Sequence, residues 1–183
     1  MELQDARVLV VGASSGIGRA VALQAAAGGA RVVLAARRAD KLAEAAAEAG
    51  DGASTVVCDV RQPEQCERVV RDAVAQLGGL DVAVYATAVD PLVRAWRGEH
   101  PEIAFCNVAV GNTLGTEVYQ SWDPVLLGEL SPVWEARGYV HDNGPGAMSV
   151  GDCATAVLAA ITSPIDLRYV LANPAPGSTM DVA

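Results

Sequence analysis

Lysine is nearly missing from this sequence: Lys41 is the only one in 183 residues. Any chemistry that needs a lysine amine elsewhere is therefore excluded. Basic residues are few overall, 13 against 22 acidic, for a net charge of −9. A binder of nucleic-acid phosphates or of an anionic membrane surface wants a basic face, so neither partner is expected. No apolar run approaches the ~20 residues of a membrane helix. The opening Met1-Glu2-Leu3-Gln4-Asp5 has no basic n-region and no apolar h-region. The expectation is a chain that is not exported and stays cytoplasmic. Histidine is limited to His100 and His141, and none of Cys58, Cys66, Cys106 and Cys153 forms a Cys-x-x-Cys pair. That spacing gives no metal site and suggests four reduced thiols. Apolar residues make up 51% and charged residues 19%, which excludes a disordered chain.

What is present is an alternation of short β-branched runs with longer amphipathic ones. Arg7–Val11 (RVLVV), Arg31–Ala35 (RVVLA), Thr55–Val57 and Leu80–Val84 (LDVAV) read as buried strands. Between them, Ile17–Ala27 and Asp40–Ala49 read as helices, with Asp40 as an N-cap. A third helix is marked by Cys66, Val69, Val70, Ala73, Val74 and Leu77 at i, i+3, i+4 spacing, with Pro63 near its first turn. Further along, Val93–Glu99 predicts a short helix and Ile103–Val110 a fifth strand. Helical pieces follow around Val125–Glu129 and Val133–Ala136, then a helix over Val150–Ile161 and a last strand over Arg168–Leu171. Such alternation implies right-handed βαβ units. The fold class expected is α/β: a doubly wound parallel sheet in three layers, forming one domain over residues 1–183.

The sharpest motif is Gly12-Ala13-Ser14-Ser15-Gly16-Ile17-Gly18, set between a strand and a helix. Glycines allow a tight turn and close approach to a pyrophosphate, and a helix N-terminus offers free N–H groups and a positive dipole end. Ser14 and Ser15 add hydroxyl donors.

This glycine spacing, G-x-x-x-G-x-G after a buried strand, resembles the short-chain dehydrogenase/reductase family. Cys58-Asp59-Val60 and Leu80-Asp81-Val82-Ala83-Val84 support the resemblance, which is close over residues 5–90 and looser from about Leu92 to Pro176. It implies a Rossmann-type dinucleotide fold, with residues 5–90 as the cofactor half and 91–183 as a truncated substrate half. It also implies oxidoreduction of a small-molecule carbonyl or alcohol with a nicotinamide cofactor. The implied cofactor residues are Gly12, Ser14, Ser15, Gly16, Ile17, Gly18, Asp59, Val60, Ala86 and Thr87, with Asp59 holding the adenine.

Cofactor choice turns on the end of the second strand. A carboxylate there would select NAD by gripping the ribose 2′-hydroxyl. The sequence instead reads Leu34-Ala35-Ala36-Arg37-Arg38, with no carboxylate before Asp40. Two guanidinium groups suit a 2′-phosphate, so NADP(H) is expected over NAD(H). The alternative is a pair of solvated arginines at a helix start, and position alone does not separate Arg37 from Arg38.

The resemblance then breaks. Where the family has Asn-Asn-Ala-Gly, this chain has Tyr85-Ala86-Thr87-Ala88. The stretch that carries the family's catalytic Ser and Tyr-x-x-x-Lys is missing, close to Leu92/Val93. The residues four after Tyr85, Tyr119, Tyr139 and Tyr169 are Val89, Asp123, Asn143 and Asn173, so no Tyr-x-x-x-Lys exists here. No catalytic residue is assigned; Tyr85, Tyr119, Ser121 and His141 are weak substitutes. Gly111-Asn112-Thr113-Leu114-Gly115-Thr116 resembles the family's loop over the nicotinamide, with Thr113 or Thr116 as its threonine. The excision predicts a sheet one strand narrower, in the order 3-2-1-4-5-6, with Leu80–Val84 beside Ile103–Val110. It also predicts an uncovered apolar patch near Trp96, and hence a homo-oligomer or pairing with a homologue. The chain is then either a weak NADP(H) oxidoreductase or a non-catalytic cofactor-holding partner subunit.

Overall fold

The computed structural model describes residues 1–86, 102–110, 113–114, 116–117, 123, 125–126, 128–129, 132–133, 148–165, 167 and 169–172. Four parallel strands carry the fold: β1 (Arg7–Val11), β2 (Arg31–Ala36), β3 (Ala53–Val57) and β4 (Val82–Tyr85), in the order β3-β2-β1-β4. Val8 pairs with Val32 on one side and with Val82 on the other. The helices between them are α1 (Gly16–Ala27), α2 (Ala39–Ala49) and α3 (Pro63–Leu77).

The central strands are covered on both faces, which is why β1 and β2 are apolar from Val8 to Val11 and from Val32 to Ala36. Alternate residues go to opposite sides. Val8, Val10, Val32 and Leu34 pack against Val21, Ala22 and Ala25 of α1 and against Leu42 and Ala45 of α2. Leu9, Val11, Val33, Ala35 and Val56 pack against Val69, Ala73 and Leu77 of α3. This is the expected three-layer α/β arrangement. Each of these buried leucines is worth about 2–5 kcal/mol against alanine.

The second half adds β5 (Asn107–Val110), β6 (Thr113–Leu114), β7 (Met148–Ser149), α4 (Val150–Thr162) and β8 (Tyr169–Ala172). Helix α4 opens with a capping box. Ser149 Oγ accepts from the Asp152 N–H at 3.1 Å, and the Ser149 N–H donates to Asp152 Oδ2 at 3.0 Å. The Ser149 hydroxyl also donates to Asp152 Oδ2 at 2.8 Å, and that bond, with the one from the Ser149 N–H, holds the Asp152 carboxyl below its ordinary range. α4 docks on α1, where Gln24 Nε2 donates to the Gly151 carbonyl at 3.0 Å and the Thr155 hydroxyl donates to Gln24 Oε1 at 3.3 Å. Ala154 of α4 completes the α1 side of the core.

Several expectations need correction. The 3-2-1-4-5-6 order is found in part: β3-β2-β1-β4 and the parallel pairing of β5 with the last strand, β8, agree with it, but β6 pairs with β7 and neither pair joins β4 among the described residues. The second half is anchored by α4 packing on α1, so its position does not depend on a ladder to β4. The fifth strand starts at Asn107, because Ile103 lies half exposed in a bend. Arg38, with extended φ −93°, is the N-cap of α2, and Asp40 falls inside the first turn. The α3 stripe is only half buried: Val69, Ala73 and Leu77 face the sheet, while Val70 and Val74 are exposed. Cβ directions four residues apart coincide, so Val70 and Val74 form a second row turned away from the sheet. Val93–Glu99, Trp96 and the Leu92/Val93 junction lie outside the described residues.

Candidate functional site

β1 pairs with β2 on one side and β4 on the other, so successive crossovers leave it in opposite directions. A crevice opens at the carboxyl ends of such strands, where open α/β sheets bind ligands. The chain leaves β1 at Gly12, whose φ of +91° suits glycine. The Gly12 and Ala13 N–H groups donate to the Ala35 carbonyl at 2.8 and 3.1 Å, and the Ala86 N–H donates to the Val11 carbonyl at 2.9 Å. The turn is thus clamped to both neighbouring strands.

Its glycines answer to three separate demands. A Cβ on Gly12 would lie 2.9 Å from the Ala86 carbonyl oxygen. One on Gly18 would lie 2.8 Å from the Gly12 carbonyl carbon and 3.0 Å from Ala86 Cβ. Gly16 has φ +57°, and its would-be Cβ would make only ordinary contact, with Thr116 Cγ2 at 3.6 Å. Ser15, extended at φ −164°, is the N-cap of α1; its hydroxyl makes no capping bond, and the first turn holds no acidic residue. Ile17 turns its side chain into the core, leaving its backbone for a ligand. Among the described residues no side chain caps the start of α1 and no first-turn carboxylate offsets its dipole, which suits a pyrophosphate.

Arg38 reaches back over this turn. Its Nη2 donates to Ser15 Oγ at 2.8 Å and to Ser14 Oγ at 3.1 Å, while Nη1 lies 2.8 Å from Glu117 Oε2. Arg37 is exposed and makes no hydrogen bond or ion pair among the described residues. The two arginines thus separate: one is engaged, the other available.

Asp59 sits where β3 ends, and Arg61 grips it. Arg61 Nε donates at 3.0 Å to Oδ1, Nη2 donates at 2.5 Å to Oδ2, and the Arg61 N–H donates at 3.1 Å to Oδ1. These bonds, with a smaller contribution from Arg37, hold the carboxyl at about 2. Gln65 Oε1 accepts from the Asp59 N–H at 2.9 Å. Val60 packs against the α3 face of the core. The Asp-x-Arg spacing was the available sign of this pairing. Glu117 carried no such sign.

Ala86 lies against Gly12 and Gly18, whereas Thr87 lies outside the described residues. Of the two threonines, Thr116 stands beside Gly16. Thr113 is buried, with Oγ1 3.3 Å from Cys153 Sγ. Burial pushes both the Cys153 and Cys58 thiols up. Lys41 pairs with Glu44 at 3.0 Å on α2. Tyr85 is exposed at the end of β4. Tyr119, Ser121 and His141 lie outside the described residues.

The sequence model of the short chain dehydrogenase family matches residues 6–115. A human protein, "Dehydrogenase/reductase SDR family member 2, mitochondrial", is 36% identical over 142 residues, covering 70% of this chain and 44% of that one. The zebrafish "Hydroxysteroid dehydrogenase-like protein 2" is 41% identical over 93 residues, covering 45% of this chain and 22% of its own. The chain thus spans less than half the length of these curated relatives. Among solved structures, a short-chain type dehydrogenase/reductase from Mycobacterium marinum superposes with a TM-score of 0.72 at 21% identity. That superposition covers 94% of this chain and 95% of the other. A similar protein from Mycobacterium ulcerans gives a TM-score of 0.75 at 17% identity, covering 94% and 90%. Both structures support the fold. No helix among the described residues is long and apolar enough to cross a membrane.

Proposed function

We propose, taking as premise that this chain belongs to the short-chain dehydrogenase family, that it holds NADP(H) in preference to NAD(H) and is at most a weak oxidoreductase. The observation that carries this reading is the glycine turn closed against Ala86, with Arg37 and Arg38 beside it and no carboxylate at the end of β2. The first turn of α1 and the backbone of Ile17 would bind the pyrophosphate. Ser14 and Ser15 would add hydroxyls. Arg37, free to move, would take the 2′-phosphate, with Arg38 at its flank. Asp59, kept ionised by Arg61, together with Val60, would line the adenine, and Ala86 and Thr87 the adjoining ribose.

When bound, the cofactor supplies a hydride to a carbonyl carbon, or accepts one from an alcohol. The chain's own contribution is to hold and orient. Orientation alone can give a substantial share of a rate. Proton delivery is the weak part. In the family a tyrosine, its pKa lowered by a lysine four residues on, donates the proton. Here the single lysine is paired on α2 and no tyrosine has a lysine at that spacing. Loss of a general acid costs about 10²–10⁴-fold in rate. The same lysine count favours a second reading, a non-catalytic NADP(H)-holding subunit that pairs with a copy of itself or with a complete homologue. A reducing compartment such as the cytoplasm is part of this reading, on the ground that the cysteine spacing holds no Cys-x-x-Cys pair. Small-molecule ketones, steroid ketones included in view of the relatives' names, are the substrates to try.

Calorimetric titration with NADPH and NADH at fixed salt tests the cofactor reading. NADPH is expected to bind more tightly, and R37A with R38A to weaken chiefly NADPH. Equal affinities, or a preference for NADH, would overturn it.

A further inference from the structure

Thr116 and Glu117 belong to the second half of the chain, yet they lie over the phosphate turn of the first. Thr116 Cγ2 is 3.6 Å from where a Gly16 Cβ would stand, and Glu117 Oε2 is 2.8 Å from Arg38 Nη1. The other amino group of that guanidinium reaches Ser14 Oγ and Ser15 Oγ at 3.1 and 2.8 Å. One side chain thus joins the end of β2, the turn and residue 117.

A guanidinium binds a phosphate or a carboxylate through the same parallel N–H donors. Glu117 already occupies one of them. A phosphate arriving beside it would share the donor with a like charge, which is unfavourable at close range. A ribose 2′-hydroxyl meets the opposite situation, because a carboxylate is its usual acceptor in dinucleotide folds. The end of β2 lacks that carboxylate, and Glu117 brings one to Arg38 from a distant part of the sequence.

We propose that Glu117 is a built-in rival of the cofactor's 2′-phosphate for Arg38, a positioning residue that narrows the discrimination between NADP(H) and NAD(H). The proposal rests on the reading that the arginines after β2 receive the 2′-phosphate. Its consequence is a cofactor preference set jointly by the two halves of the chain. Arg38 and Glu117 are each 42% exposed, so solvent screens the pair and the effect is moderate.

The test uses the full chain as wild type, E117Q, R38A and the R38A/E117Q double variant, titrated calorimetrically with NADPH and NADH. The fragments 2′,5′-ADP and 5′-AMP isolate the phosphate itself. E117Q is expected to tighten NADPH and 2′,5′-ADP about two- to fivefold, the range of an exposed ion pair. NADH and 5′-AMP should be unchanged or weaker. The gain should vanish in the R38A background and shrink at high salt. An unchanged NADPH-to-NADH ratio in E117Q would overturn the proposal, as would an equal gain without Arg38. The two readings fail separately. A wild type preferring NADPH with no shift in E117Q keeps the cofactor reading and refutes the rivalry. A wild type preferring NADH with the expected shift does the reverse.

Discussion

Adding one methyl group to each glycine of the turn separates strain from crowding. Gly16 has φ +57° and room, so G16A meets only the left-handed penalty, about 1–2 kcal/mol. Gly18 has an ordinary φ, but its Cβ would press on the Gly12 carbonyl and on Ala86. Neither neighbour can yield freely: Gly12 is bonded to Ala35 at 2.8 Å and Ala86 to Val11 at 2.9 Å. Crowding of this kind costs about 1–3 kcal/mol, sometimes more. Gly12 combines φ +91° with a 2.9 Å approach to Ala86, so G12A adds the two costs, about 2–5 kcal/mol. Urea unfolding followed by circular dichroism reads these differences as midpoint shifts at constant slope. G12A and G18A are both expected to be more damaging than G16A, since each drives a Cβ against fixed backbone and G16A does not. If G18A were as stable as wild type, or G16A as damaging as G12A, the account of the turn would be wrong.

Arg7 grips Asp81 through bonds of 2.5 and 2.8 Å, holding its carboxyl at about 2 against an ordinary 3.8. A depressed folded value means that the stabilisation is complete above the ordinary value and lost as pH falls through the folded one. D81N should therefore lower Tm at pH 7, and the gap to wild type should close between about pH 4 and 2; a gap constant over that range would contradict the pairing. Val70 and Val74, 45% and 40% exposed one turn apart on α3, mark a surface expected to self-associate or pair with a homologue. Light scattering should show association that V70D/V74D abolishes; a monomeric wild type at every concentration would count against it.

The cofactor half was legible because its signals are local and redundant. After Arg7, β1 is apolar from Val8 to Val11 because both of its faces are covered, and the glycines bracket a turn that few other residues can make. Arg38 as N-cap was less legible, since an extended arginine before a helix has no periodic signature. The second half was misread where pairing is decided at a distance. The run from Ile103 reads as a strand between β4 and the last strand; it does pair with β8, but no ladder joins it to β4 among the described residues. Glu117 meets Arg38 across 79 positions through side chains alone, and no spacing rule reaches that far.

Binding and turnover measured on one sample test the central claim most directly. The chain, shown by titration to be saturated with NADPH, is mixed with a panel of ketones, aldehydes and quinones at several pH values. NADPH oxidation is followed by absorbance. The account predicts a filled site and a rate at least about 10²-fold below the usual enzyme median near ~10 s⁻¹. Turnover near that median, lost on Y85F, Y119F or H141A, would contradict it and identify the proton donor.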